Sequence, residues 1–158
     1  MTPLDLISLI EAKDYLQVDF PDKDTLITSL IKSSIEQIEG ATDRRLYERD
    51  EVITTNKEVY TTVVYPINSV VSIMEGTTEL VLDTDYAEDD NTYARIFEFN
   101  SEDVRTITLT VGYEAGECPE SLKLACLNLI EYNYNNRGAA DIPANVAQRI
   151  STFRRSPW

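Results

Sequence analysis

The sequence contains no histidine and only two cysteines, Cys118 and Cys126. That shortage excludes a Cys/His zinc site, a Cys/His dyad and a Ser/His/Asp triad by residue supply alone. If Pro119 opens a helix, Cys126 points into its body while Cys118 lies ahead of it, a poor geometry for a disulfide, so the chain reads as one kept in a reducing compartment. Glycine is as sparse: Gly40, Gly76, Gly112, Gly116 and Gly138 stand singly, and none falls in the G-x-x-x-x-G-K-[ST] pattern of a phosphate loop. No apolar run approaches the ~20 residues of a membrane span. The opening MTPLDLISLIEAKDYL has no basic leader and acquires charge at Asp5, which argues against a signal peptide and for assembly in the cytoplasm.

Basic residues are scarce too, 14 against 28 acids, for a formal net charge of -14. A field of that sign repels phosphate and anionic lipid over ~8 Å in physiological salt. Sequence-specific DNA binding by the body is thereby disfavoured; contact with basic protein surfaces, and passage of nucleic acid without adhesion, are not. The charge is unevenly spread. The last fifteen residues, Ala144 to Trp158, hold three arginines and no acid, which leaves -17 on the rest.

What is present is enough for a fold. The length of 158 residues suits one domain, and the 42% hydrophobic content is that of a globular chain. Ser8 and Glu11 form a capping box ahead of Leu9, Ile10, Ala12, Tyr15 and Leu16, predicting a helix over 8–17. Leu26, Ile27, Leu30, Ile31, Ser34, Ile35 and Ile38 recur at three- and four-residue spacing, predicting a long amphipathic helix over 23–44 that passes through Gly40, tolerated there for close packing. Over 50–114 the period changes to two. Runs such as EVYTTVVYP, SVVSIMEG, TELVL, ARIFEFN and VRTITLTVGY predict four or five antiparallel strands, mostly hairpins in chain order. Pro119 and Gly138 bracket a third helix over 119–137.

The expected architecture is α+β: helices from both chain ends packed together, an antiparallel β unit inserted between them, a body over 1–142 and a C-terminal helical arm over 143–158. In that arm Val146, Ile150 and Phe153 fall at i, i+4, i+7, with Arg149 and Arg154 around them. A helix this short is marginal alone, so its stripe must lie either on its own acidic body or in another chain's groove with an acidic rim.

Candidate chemistry is thin. The stretch DTDYAEDDNTYA places Asp83, Asp85, Glu88, Asp89 and Asp90 close together, but an EF-hand loop would need an acid at Ala87, glycine at Glu88 and Glu at Ala94, so it reads as a solvated acidic loop or a partner contact. No carboxylate pair stands out for glycosidase-type work. No cofactor, metal site or enzymatic activity is expected.

The stretches ISLIEAKDYLQVD, DKDTLITSLIKSSIEQIEGATDRRL, TITLTVGYEAGECPESLKLACLNLI and RISTFRR, in that order, resemble the head-tail connector (adaptor, or head-completion) proteins of long-tailed bacteriophages and gene transfer agents. The resemblance implies a structural virion protein at the neck, forming a ring, commonly of twelve subunits, between the portal protein and a tail-completion or head-closure protein, with DNA passing through unbound. It also implies that the terminal segment is a portal-docking arm, with Arg149, Ile150, Phe153 and Arg154 corresponding to the family's segment; the amphipathic pattern itself adds Val146, Arg155 and Trp158 to the candidate arm, and Pro157 and Trp158 match no family pattern. The alternative on charge is an acidic DNA mimic that inhibits a nucleic-acid-binding host enzyme; such a mimic needs its acids in paired rows at phosphate spacing, whereas a ring needs them gathered on its bore.

Overall fold

The computed structural model describes residues 1–91, 94–138 and 141–154. The chain forms two compact units: one from Met1–Tyr47 with the chain from Tyr113 onward, the other from Glu48–Gly112.

The first unit is helical: α1 (Pro3–Leu6), α2 (Leu9–Leu16), α3 (Asp24–Thr42), α4 (Glu120–Asn135) and α5 (Ala144–Ile150), with single 3-10 turns at Pro21–Lys23 and Ser151–Phe153. The Ser8 hydroxyl accepts from Glu11 N–H at 3.1 Å and starts α2 as its capping pattern requires. α3 is the axis of the unit and packs against each of the other four helices. Its buried positions, Ile27, Ile31, Ser34, Ile35, Ile38, Glu39 and Thr42, are the stripe read from the sequence, extended to the helix end. α4 answers with Leu122, Ala125, Cys126, Leu127, Leu129, Ile130 and Asn133. The core is almost wholly aliphatic. Two polar ties fix α2 against it: Tyr15 Oη donates to Asn128 Oδ1, and Lys13 Nζ lies 2.7 Å from Asp24 Oδ1.

α3 does run through Gly40, but for a different reason from the one expected. A Cβ built at Gly40 meets nothing within 4 Å, so no neighbour requires the glycine. The helix stops at Thr42, where Asp43 adopts φ 55° and closes it with a left-handed residue. Arg44 and Arg45 lie beyond.

The second unit is all β: β1 (Arg49–Thr55), β2 (Val59–Thr61), β3 (Ile67–Glu75), β4 (Thr78–Glu79), β5 (Tyr86–Asn91), β6 (Ala94–Phe99) and β7 (Arg105–Val111). They form two sheets, in the orders β1-β7-β3-β4 and β2-β6-β5, with every pair antiparallel. There are thus more strands than the periodicity resolved, and among the described residues only β3-β4 and β5-β6 are chain-order hairpins. At the first, Glu75 pairs with Thr78 and Gly76 takes φ 60°, a turn conformation that costs glycine least. β7 is central because its alternation is the strongest in the chain: Arg105, Ile107, Leu109 and Val111 are buried while Thr106, Thr108 and Thr110 are half-exposed. The core joins both sheets through Ile73, Ile107, Leu109 and Val111 on one side and Tyr86, Phe97 and Phe99 on the other. Arg105 enters it from the β7 start, its guanidinium 4.4 Å from the Phe99 ring centroid and its Nη2 3.1 Å from Glu75 Oε2.

Candidate functional site

The C-terminal segment is assembled by three stretches that are distant in sequence. Pro143, extended at φ -64° and ψ 151°, opens α5, and the four-residue spacing of Val146 and Ile150 puts both on one face. Both are fully buried in the helical core, and Phe153 packs half-buried against it. The next contact comes from the turn that ends α3. Arg44 Nε donates to the Phe153 carbonyl at 2.8 Å, its Nη1 donates to Tyr113 Oη at 2.9 Å, and its guanidinium stands 5.8 Å from the Phe153 ring centroid. The buried Glu39 carboxylate accepts from Leu46 N–H at 2.8 Å and fixes the same turn from the other side. Arg44 is therefore a clasp on the terminal segment. The sequence offered one signal for it, a pair of arginines where a helix could end, and that signal was obscured by the expectation of a helix continuing to residue 44.

This arrangement corrects part of the expected arm. Val146 and Ile150 are not offered to another chain in this subunit: a seven-residue helix cannot stand alone in water, and the nearest apolar surface is the groove its own α3 and α4 provide. What faces outward is the polar side. Arg149 and Arg154 are exposed, and among the described residues neither side chain has an ion-pair partner. Arg155 and Trp158 lie outside the described residues.

The acidic segment is a loop only at its start, where Asp83 and Asp85 lie in a turn. Tyr86 to Asn91 form the edge strand β5, held because Tyr86 is buried against Phe97 and Phe99, with ring centroids 6.2 and 5.9 Å away. Arg95 on β6 sits directly opposite Asp90 and binds it at 2.8 Å, and it reaches Glu88 at 3.1 Å. Asp85 is turned inward on its own chain, accepting from Val81 N–H at 2.8 Å. Asp83, at φ 64°, and Asp89 remain exposed. An acidic edge strand is a physical device in its own right, because like charges discourage pairing with another sheet edge.

Other candidates recede. No group of three or more Cys, Asp or Glu that could hold a metal occurs among the described residues, and none of their helices is long and apolar enough to cross a membrane. Burial pushes the Cys118 thiol up to about 12 and raises that of Cys126 as well, so neither is a ready nucleophile at neutral pH. Burial, followed by the nearby Glu88 charge, also raises the Tyr86 phenol. The site can bind through charge and shape; the described residues bring no activated nucleophile to it.

The fold has close counterparts. A chain in the neck of an empty gene transfer agent particle, computed with C6 symmetry, superposes with a TM-score of 0.79 at 19% identity, over 100% of this chain and 94% of that one. A chain in the neck of a native particle, computed with C12 symmetry, gives 0.79 at 20% identity over 100% and 93%. A third, from the virion of the native gene transfer agent, gives 0.77 at 21% identity over 100% and 94%. At these identities the likeness is one of fold. No curated protein matches the sequence. The model of the head completion protein family matches residues 5–143, from the second half of α1 through α4 and including the described strands, and the chain belongs to that family.

Proposed function

We propose that this chain is a structural neck subunit that acts by assembly and not by catalysis: copies side by side in a ring between a portal protein and a tail-completion or head-closure protein, with the terminal segment turned to the portal. Membership of the head completion family carries this reading. It is supported by the likeness to chains from necks computed with sixfold and twelvefold symmetry. Twelve copies would repeat a weak terminal contact often enough for avidity to supply what one segment lacks.

The charge distribution supports the same reading. A body carrying -17 presents a bore that repels phosphate, so DNA passes without sticking. The exposed Arg149 and Arg154 supply a cationic surface of opposite character, and Arg155 and Trp158 follow them in the sequence. Because Val146 and Ile150 belong to the core, docking uses the outward side of the segment and the residues after it.

The test must spare the core. Removing residues 144 to 158 would delete two buried anchors and confuse unfolding with lost binding. Arg149→Glu with Arg154→Glu, and separately removal of residues 155 to 158, leave Val146 and Ile150 in place. Both variants are expected to melt as the wild type does and to lose portal capture in a pull-down by at least tenfold; retained capture would sink the docking role. Rings seen by electron microscopy of the chain mixed with its portal test the assembly itself.

A further inference from the structure

The helical unit carries a knob and a hole that do not meet within one subunit. The hole is a groove of about 350 Å³ between α3 and the end of α4, with Leu26, Leu30 and Tyr134 among its lining residues and Gln37, Asn136 and Arg137 on its polar side. Among the described residues Arg137 has no ion-pair partner. The knob is Phe20, on the connection between α2 and α3. It is 68% exposed, among the most exposed large apolar side chains of the molecule. It stands between Asp19, which is exposed, and Pro21-Asp22. Pro21 starts a 3-10 turn immediately after Phe20, and Lys13 Nζ donates to the Phe20 carbonyl at 3.4 Å.

We propose that Phe20 of one copy seats in the α3/α4 groove of a second copy, with the exposed Asp19 facing Arg137; Asp22 is already paired with Lys23 at 3.2 Å. Charge selects this occupant. In a chain of net charge -14 most approaches between copies are repulsive, whereas this one brings an aromatic preceded by an exposed acid, Asp19, onto an apolar groove that ends in Arg137, which has no ion-pair partner among the described residues. The two surfaces are different patches, so the contact is head-to-tail: each copy uses its knob on one neighbour and its groove on the other, and the pattern repeats until rotation closes it. Phenylalanine withdraws roughly 150–250 Å² on burial, well short of the ~800 Å² per partner of a stable pair. Two free copies therefore associate weakly, and closure makes the contact persist. In that last respect the inference rests on the ring reading above.

The experiment uses two single variants of the full chain, Pro21→Cys beside the knob and Asn136→Cys at the groove. The native thiols are buried and do not compete. Mixed under a mild oxidant, the two are expected to give a disulfide-linked heterodimer, with at least tenfold less product from either alone. Adding Phe20→Ala to the Pro21→Cys chain should lower the yield at least tenfold with the thermal melt unchanged. Linking by either variant alone to the same extent, no heterodimer, or indifference to Phe20→Ala overturns the contact. Electron microscopy of the wild type with its portal separates the two ideas. Rings without the heterodimer overturn the contact alone, the heterodimer without rings overturns closure alone, and the absence of both overturns the two together.

Discussion

The two units bury their interiors by different means. The helical unit uses isoleucine, leucine, alanine and two thiols at helical spacing, and its one deeply placed carboxylate, Glu39, is spent on a backbone N–H. The β unit sets three aromatic rings and a guanidinium beside its aliphatic residues: Tyr86, Phe97 and Phe99 with centroids 5.9 to 6.4 Å apart, and Arg105 over Phe99. The contrast follows from geometry. A helix pair interlocks rows of side chains along its length, so many medium-sized residues fill it. Small twisted sheets with short strands have few inward positions each, and a large ring fills more space per position.

The largest test of that contrast is Phe97→Ala. The residue is fully buried and contacts both other rings, so about 3–5 kcal/mol of stability should be lost in urea unfolding. Hydrogen exchange should rise most over residues 48–112; a rise of equal size in α3 and α4 would dissolve the energetic distinction between the units. Ile150→Ala, in the helical core, should cost about 2–4 kcal/mol by the same assay. A loss below ~0.5 kcal/mol would mean that the terminal segment leaves its groove readily.

Arg105→Met keeps the apolar contact with Phe99 and removes the charge. Glu75, whose side chain is 36% exposed, can turn to water, so the cost should be about 1–2 kcal/mol, less than for a fully enclosed pair. A neutral or stabilising result would show that the guanidinium contributes shape more than charge. Gly40→Ala is the smallest change and has the opposite sign. The site is exposed, helical and open to a Cβ, so the variant should gain about 1 kcal/mol.

The thiols sharpen the comparison through pH. Cys118 keeps its proton in the folded chain up to about 12, whereas in the unfolded chain it ionises near its ordinary value of 9.0. The unfolded state therefore holds fewer protons between those values, and stability should fall as pH rises through that window. At pH 8 a thiol reagent should label the native protein at least tenfold more slowly than the urea-unfolded chain.

Much of the helical unit was legible in the sequence because a helix is a local object. The Ser8 cap, the isoleucine spacing of α3 and the Pro119 start of α4 each depend on residues within a few turns, and all reappear in the structure. The absence of histidine and of a phosphate loop likewise bounds the chemistry without coordinates. The β unit was legible only as a change of period. That β7 lies between β1 and β3, two strands far from it in sequence, is settled by which inward rows complete a common core, and no short window contains that information. The acidic stretch read as a loop because its partner, Arg95, lies on the neighbouring strand.

The C-terminal segment divides the matter most sharply. Its sequence determined an amphipathic, basic helix; it could not determine what would cover the apolar side. That was decided by tertiary structure, when α3 and α4 came together with a groove of the right width and Arg44 swung from the end of α3 to hold Phe153. Amphipathicity follows from spacing along one chain. The surface that satisfies it depends on every other element that competes for the same burial.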